Sequence, residues 1–400
     1  MKLYIIRPVC LLALVLVCAG CNRDNASSII ELHHQFSMAI GKMEDQIDLI
    51  ELPGQPFTQS IDIEMKNGLF YISNGASKKV MEFSSYGDLL TLYYNASANP
   101  PPVLLKNENQ AGSVANRRAH PYPFNEVGEI AVAGTGVLYV QDTVARERRI
   151  WDEELGTQLR SVILRFDNNG MMIDYIGQGG ISGVPFPYID SIVICADDIL
   201  TVVTRTADNW IIFSYDRDGA FRHSYTFSDA SLPEVDSSEI LSVEGVMAGP
   251  EPDLVYVKTD YYQEQSGNED YGFEKSVIYW IDTVAGAVTG SIEVPPAYKT
   301  TGRVQMFNRE EEEVIQYLTG IADGGVFFLV SPASDGLYNL SLVDTSGMVV
   351  HRGFLELDDS QTVFRKFHVT PAGILTALIG GNTEADIVLW RTDKYINGQK

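Results

Sequence analysis

Val162-Ile163-Leu164-Arg165-Phe166 runs straight into Asp167-Asn168-Asn169-Gly170, and the same pattern returns elsewhere. Ile211 to Tyr215 precede Asp216-Arg217-Asp218-Gly219, and Leu340 to Val343 precede Asp344-Thr345-Ser346-Gly347. Looser copies turn at Ser84-Ser85-Tyr86-Gly87 and at Asp282 to Gly286, one residue longer. Each copy reads as an apolar strand, a tight turn whose Gly takes the positive φ that other residues avoid, and an antiparallel return strand. Five copies of one small β unit in 400 residues indicate a repeat architecture, in which length does not translate into a count of separate domains.

Working outward, six units of three or four strands can be laid along the chain. They begin near Ile61, Glu129, Ile192, Val243, Gly320 and Phe367, and no helical period of comparable length separates them. The sixth reaches only Ile387 to Trp390, so it lacks an outer strand. Conversely, Gln35-Phe36-Ser37-Met38-Ala39-Ile40-Gly41 looks like the outer strand Met172 to Gly177 but has no unit of its own. Placing that segment in the last unit closes the array and removes both exposed sheet edges. The expected fold is therefore all-β: a six-bladed β-propeller over residues 35–396, closed by an N-terminal strand. Glu310 to Tyr317, free of Gly and Pro, is expected to form about two helical turns.

The units resemble the NHL family of propellers. Gly136-Val137-Leu138-Tyr139-Val140, with Phe166 to Gly170, matches that repeat, and Ile176-Gly177-Gln178-Gly179-Gly180 leading to Pro187 resembles the Gly-rich link between its blades. As a whole the chain is similar to propeller lipoproteins of spirochaetes.

The first residues carry an address. Lys2 and Arg7 precede the apolar run Val9 to Val17, then Cys18-Ala19-Gly20 and Cys21. That order is a secretion signal over residues 1–20, too short to span a bilayer. Cys after Ala-Gly resembles the bacterial lipobox, although Cys18 stands where Leu is usual. The resemblance implies that Cys21 is acylated and that residues 21–34 tether the fold to a membrane of the cell envelope, facing the periplasm or the surface. Removal of the signal leaves 27 basic and 53 acidic residues, a formal charge of −26. So acidic a chain repels nucleic acid and anionic headgroups; attachment would rest on acyl chains, and a cationic partner fits. Cys195, the one Cys left in the body, reads as a buried strand residue.

No nucleophile motif, phosphate loop or Cys-x-x-Cys is present in the mature chain. His33 and His34 fall in the tether, where neighbours on an extended chain point opposite ways. Two constellations are candidates. Acids recur near the starts of inner strands: Asp62, Glu129, Asp190 and Glu244, with His368 in the sixth unit. Inner strands line a propeller's channel, so these carboxylates are candidate Ca²⁺ ligands, as in lactonase-like propellers; otherwise they are solvated turn acids. Their unequal offsets within the units favour no bound cofactor. The second set is the loop aromatics Tyr122, Phe124, Phe186, Tyr188, Tyr261 and Tyr262, which would form a protein-binding face or fold back to seal blade ends. Trp151, Trp210, Trp280 and Trp390 are expected in blade packing. The function expected is a lipid-anchored binding or scaffolding module of the envelope, not an enzyme. Outer-membrane assembly or maintenance is one concrete role, because a propeller lipoprotein of similar size serves it in other bacteria. The alternative is a metal-dependent hydrolase using the channel acids.

Overall fold

The Asp-x-x-Gly tetrads fold as their chemistry requires. Asp167 Oδ1 accepts the backbone N–H groups of Asn169 (2.9 Å) and Met171 (2.8 Å), and Gly170, at φ +81°, donates its N–H to the Asp167 carbonyl. Asp216 and Asp344 repeat this with the residues two and four positions on, and in the first unit the Ser84 hydroxyl replaces the carboxylate. Each turn therefore satisfies its own backbone and fixes the register of the hairpin it closes.

The computed structural model of the chain describes residues 28–49, 60–105, 117–233, 239–264, 271–305, 308–334, 336–358 and 360–397. These hairpins assemble six antiparallel sheets. Their inner strands are Ile61–Lys66, Ile130–Val132, Tyr188–Ile194, Glu239–Ala248, Tyr317–Ala322 and Phe364–Val369, which define blades 1 to 6 in chain order. Blade 6 continues through Leu375–Gly380 and Glu384–Trp390 and is completed by Leu32–Ala39, paired antiparallel to Glu384–Trp390. Closure by the N-terminal strand thus matches the expectation. That strand begins at Leu32, three residues before Gln35, so part of the expected tether belongs to the ring. Just upstream, Ser28–Ile29 runs parallel to Val349–Glu356 and adds a fifth strand to blade 5.

Six buried apolar clusters join the blades, one between each consecutive pair, and one of them unites Phe36, Met38 and Ile387 of blade 6 with Ile63, Phe70 and Phe83 of blade 1. An open row of six sheets would have five such interfaces; the sixth is the closure of the ring. Among the described residues, no helix is long and apolar enough to cross a membrane.

One expectation fails. Glu310 to Tyr317 does not form a helix: Asn308–Val314 pairs antiparallel with Ala297–Gln305, and Tyr317 opens the inner strand of blade 5. Lack of Gly and Pro permits a helix without requiring one. A neighbouring strand supplied the competing partner, and Lys299 Nζ meets Glu312 Oε2 at 3.0 Å across it.

The meander fixes what lies at each end of the ring. Within each blade, the links from first to second and from third to fourth strand fall on one face. The links from second to third strand, and from one blade to the next, fall on the other. The first, here the turn face, holds the tight turns, including every tetrad. Among the described residues the long interruptions fall on the second, the insertion face: 40–49, 95–105, 117–129, 144–160, 178–187, 228–233, 294–305 and 308–316, with the extended strands Leu254–Glu264 and Tyr271–Asp282. Cys21 lies outside the described residues.

Candidate functional site

Inner strands have one edge bonded within their blade and the other facing the next inner strand, so backbone donors there need partners. The acids noticed in the sequence supply some of them. Asp62 Oδ2 accepts the Ile130 N–H (3.0 Å), tying blade 1 to blade 2. Glu244 faces the Leu318 backbone of blade 5 and meets Lys258 Nζ at 3.4 Å; that fully buried ammonium also holds Asp260 at 2.6 Å. Asp190 faces Arg205 Nε at 3.8 Å.

The structure brings Asp62 and Glu129 together through a residue that the sequence reading passed over. Lys366 Nζ lies 3.3 Å from Asp62 Oδ1 and 3.2 Å from Glu129 Oε2. Burial alone would lower the ammonium's pKa, but the two carboxylates hold it above its ordinary range. Its charge stands between the acids where a bound cation would otherwise sit. Among the described residues no three His, Cys, Asp or Glu side chains gather as a metal site.

Two residues further along the same strands, His368 Nδ1 lies 3.4 Å from Glu64 Oε2. Burial pushes Glu64 up to about 8, with the charge of Asp62 adding to it, and pushes His368 down to about 4. Burial and the same Asp62 charge raise Glu129, while Lys366 opposes them. His368 Nε2 is buried and has no hydrogen-bond partner among the described residues. Asp62, Glu64 and Lys66 recur at every second position, as do Lys366 and His368. This alternation, which puts each set on one side of its strand, is the signal that would have found them.

These groups line one side of a cavity of about 160 Å³ in the channel. Blades 1, 2 and 6 contribute the charged side; blades 3, 4 and 5 contribute Ile192, Ile194, Met247 and Ile321. The cavity reaches Pro250 and Pro371, which lie in turn-face links just beyond inner strands.

The aromatic candidates divide. Phe124, Phe186 and Tyr261 are fully buried, so of the two readings they follow the one in which loop aromatics fold back, and they are removed from the candidate binding face. Phe124 and Phe186 fill the spaces between blades 1 and 2 and between blades 2 and 3, and the Tyr261 hydroxyl bonds that of Tyr279 at 2.7 Å. Tyr122 and Tyr262 are half-buried, against Phe166 and Phe273. Tyr188 is 45% exposed, with the Arg205 guanidinium 5.2 Å from its ring. Of the four Trp, Trp210 and Trp390 are buried and Trp280 stacks on Phe327, but Trp151 is 57% exposed on the hairpin formed by Ile150–Asp152 and Thr157–Leu159. Seven aromatic side chains are well exposed among the described residues. Five of them, Trp151, Tyr188, Tyr271, Tyr298 and Tyr317, belong to the insertion face; Tyr86 and Phe221 belong to the turn face. Cys195 is buried beside the Gly249 carbonyl, and burial raises its thiol to about 11, unsuited to nucleophilic work.

No family model matches the chain, and no curated protein matches it. Among solved structures, the chain is similar to the polysaccharide lyase Uly1, with 8% identity over 89% of this chain and 99% of that one and a TM-score of 0.42. A protein of unknown function from Bacteroides caccae shares 9% identity over 77% of this chain and 81% of its own, with a TM-score of 0.34. The β-propeller domain of the trilobed protease from Pyrococcus furiosus, described as having an open velcro topology, shares 10% identity over 90% of this chain and 94% of its own, with a TM-score of 0.39. None of these likenesses bears on the chemistry of the channel.

Proposed function

We propose that the chain is a binding module of the bacterial cell envelope, tethered to a membrane through acyl chains on Cys21 and recognising a protein partner with its insertion face. The observation that carries this reading is the gathering, among the described residues, of the long insertions and of five of the seven exposed aromatics at one end of a ring whose other end is short turns. Tyr and Trp are the side chains that protein interfaces favour. The exposed acids Glu264, Glu274, Glu312 and Glu313 belong to the same face, and with the formal charge of −24 on the full chain they point to a partner with a basic surface. Outer-membrane assembly or maintenance is a role that such a module suits.

The competing reading, a metal-dependent hydrolase, draws on the meeting of Asp62 and Glu129 in the channel. Lys366 between them weighs against it, because a divalent ion there would have to displace a paired ammonium. Crosslinking in the native envelope tests the proposal: the triple change Tyr271→Ala, Tyr298→Ala and Tyr317→Ala should reduce partner capture about tenfold or more at unchanged Tm. Unchanged capture would place recognition elsewhere. Cys21→Ser should move the protein to the soluble fraction, and failure of wild type to incorporate labelled palmitate would remove the tether.

A further inference from the structure

The turn face carries side chains that its turns do not require. An Asp or Ser oxygen and a Gly set each link from third to fourth strand, and the positions beside them are free to be polar. Blades 1 to 5 instead place an exposed apolar side chain in or just after that link: Tyr86, Met171, Phe221, Val284 and Met348, from 43% exposed at Phe221 to 88% at Tyr86. Blade 6 has no such link, but its fourth strand enters at the same end with Leu32, which is exposed as well. Scattered single residues of this kind are ordinary; one at the outer turn of each blade makes an apolar rim around one face. The chain also enters from this side. Ser28–Ile29 runs parallel to Val349–Glu356, which leaves the Asp344 to Gly347 turn, so at Ser28 the backbone is travelling from the turn face toward the insertion face. Cys21 is seven positions earlier, a length of chain that spans at most about 25 Å. Ser28 pairs with Gly353, four residues or about 13 Å of strand from Val349. Even fully extended along this direction, the tether puts Cys21 no more than about 12 Å beyond the turn face.

We propose that the turn face rests on the lipid surface that holds the acyl chains of Cys21, its apolar rim dipping into the headgroup layer and its insertion face turned outward to meet the partner. This orientation rests on the acylation of Cys21. The acyl chains hold the molecule at the surface, and so short a tether makes rim contact an intramolecular event, so side chains too few to bind a bilayer alone are enough to orient the ring. Tyr86 offers the interface an apolar ring with a hydroxyl for the headgroups, and Met171, Phe221, Val284 and Met348 add apolar area. The carboxylates of Asp167, Asp216 and Asp344 accept backbone N–H groups of their own turns, which lessens their dependence on water at such a surface. The acidic balance of the chain selects a zwitterionic surface over an anionic one.

The test places the full lipidated protein on vesicles of phosphatidylcholine and phosphatidylethanolamine, with a nitroxide on Met171→Cys or Met348→Cys at the rim, or on Trp151→Cys at the insertion face. Cys195 is buried and stays unlabelled. Labelled palmitate and vesicle flotation report acylation on the same preparations, and collisions of the nitroxide with oxygen, which enters the bilayer, and with a water-soluble nickel chelate report depth. Relative to the same variants carrying Cys21→Ser in solution, the ratio of oxygen to nickel collisions should rise at least about threefold at both rim positions and less than about 1.5-fold at the Trp151 position. Adding Tyr86→Asp and Val284→Asp should abolish the rise at the Met171 position. Palmitate incorporation and flotation without a rise at the rim would overturn the proposal while leaving the tether intact, and would leave the rim to a protein occupant. A rise at the Trp151 position alone would overturn it by reversing the orientation. Absence of palmitate would remove the tether and the proposal together. The two rim positions lie in different blades, so a variant that fails to fold at one leaves the other to decide.

Discussion

The two faces of this ring are held by different means. On the turn face the restraint is in the backbone: a carboxylate or hydroxyl closes each tetrad, and a Gly at positive φ completes it. On the insertion face the restraint is a buried aromatic side chain at the root of a loop, Phe124 or Phe186, with exposed residues beyond it. The first device tolerates almost no change in length, because the turn sets the register on both sides. The second leaves the rest of the loop free once the aromatic is seated. A ring can therefore vary at one end without loosening at the other.

The largest test of that contrast is Phe186→Ala. Its ring lies 5.2 Å from that of Phe213 between two blades, and its backbone N–H bonds the Ser161 carbonyl at 2.7 Å. Loss of about 3–5 kcal/mol is expected in chemical denaturation; a loss below about 1 kcal/mol would mean that the insertion loops are not rooted this way. Gly170→Ala comes next. An added Cβ would lie 2.2 Å from His120 Nε2 at a backbone φ of +81°, and a cost of about 1–3 kcal/mol is expected.

The channel lies between the faces, and pH probes it. Glu64 rises from 4.5 to about 8 on folding, so its contribution to stability is complete below about pH 4.5 and lost as pH rises through 8. His368 falls from 6.5 to about 4, so its contribution is complete above pH 6.5 and lost as pH falls toward 4. Between pH 6.5 and 8 Glu64 and Glu129 set most of the slope, and Lys79, lowered by burial to about 8, opposes them near the top of that window. Scanning calorimetry should show Tm falling by about 2–6 °C over that window, and Glu64→Gln should flatten the fall; a flat wild-type profile would contradict the burial of Glu64. The smallest effect on stability belongs to the insertion face: Trp151→Ser, at an exposed position of the hairpin, should leave stability within about 0.5 kcal/mol.

The fold was legible because its signals are local. Asp167 to Gly170 specifies a turn by its own chemistry, and the spare strand near Phe36 could be matched to a sixth unit one strand short. The site was less legible because it is assembled across the ring. Lys366 meets Glu129 from 237 residues away, and no local pattern announces such a pair. Asp62 and Glu129 stood out in the sequence as acids, but their partners decide what they do. Phe124 and Phe186 sit among Pro residues in loops, and only the packing of adjacent blades reveals that they point inward. The Glu310 to Glu313 run failed as a helix for a related reason: its partner, Ala297–Gln305, forms a hairpin with it that composition alone does not disclose.

Closure of the ring by Leu32–Ala39 also imposes a waiting time on synthesis. The strand is made about 345 residues ahead of its partner, Glu384–Trp390. At about 5–20 residues per second, roughly 20–70 s separate the two. For that interval Phe36 and Met38 have no blade to enter, and the growing polypeptide offers a vacant edge to any holding chaperone or protease that meets it. A message truncated shortly before codon 384 would yield a product in which five blades can form but the ring cannot close, marked for disposal by its own first strand.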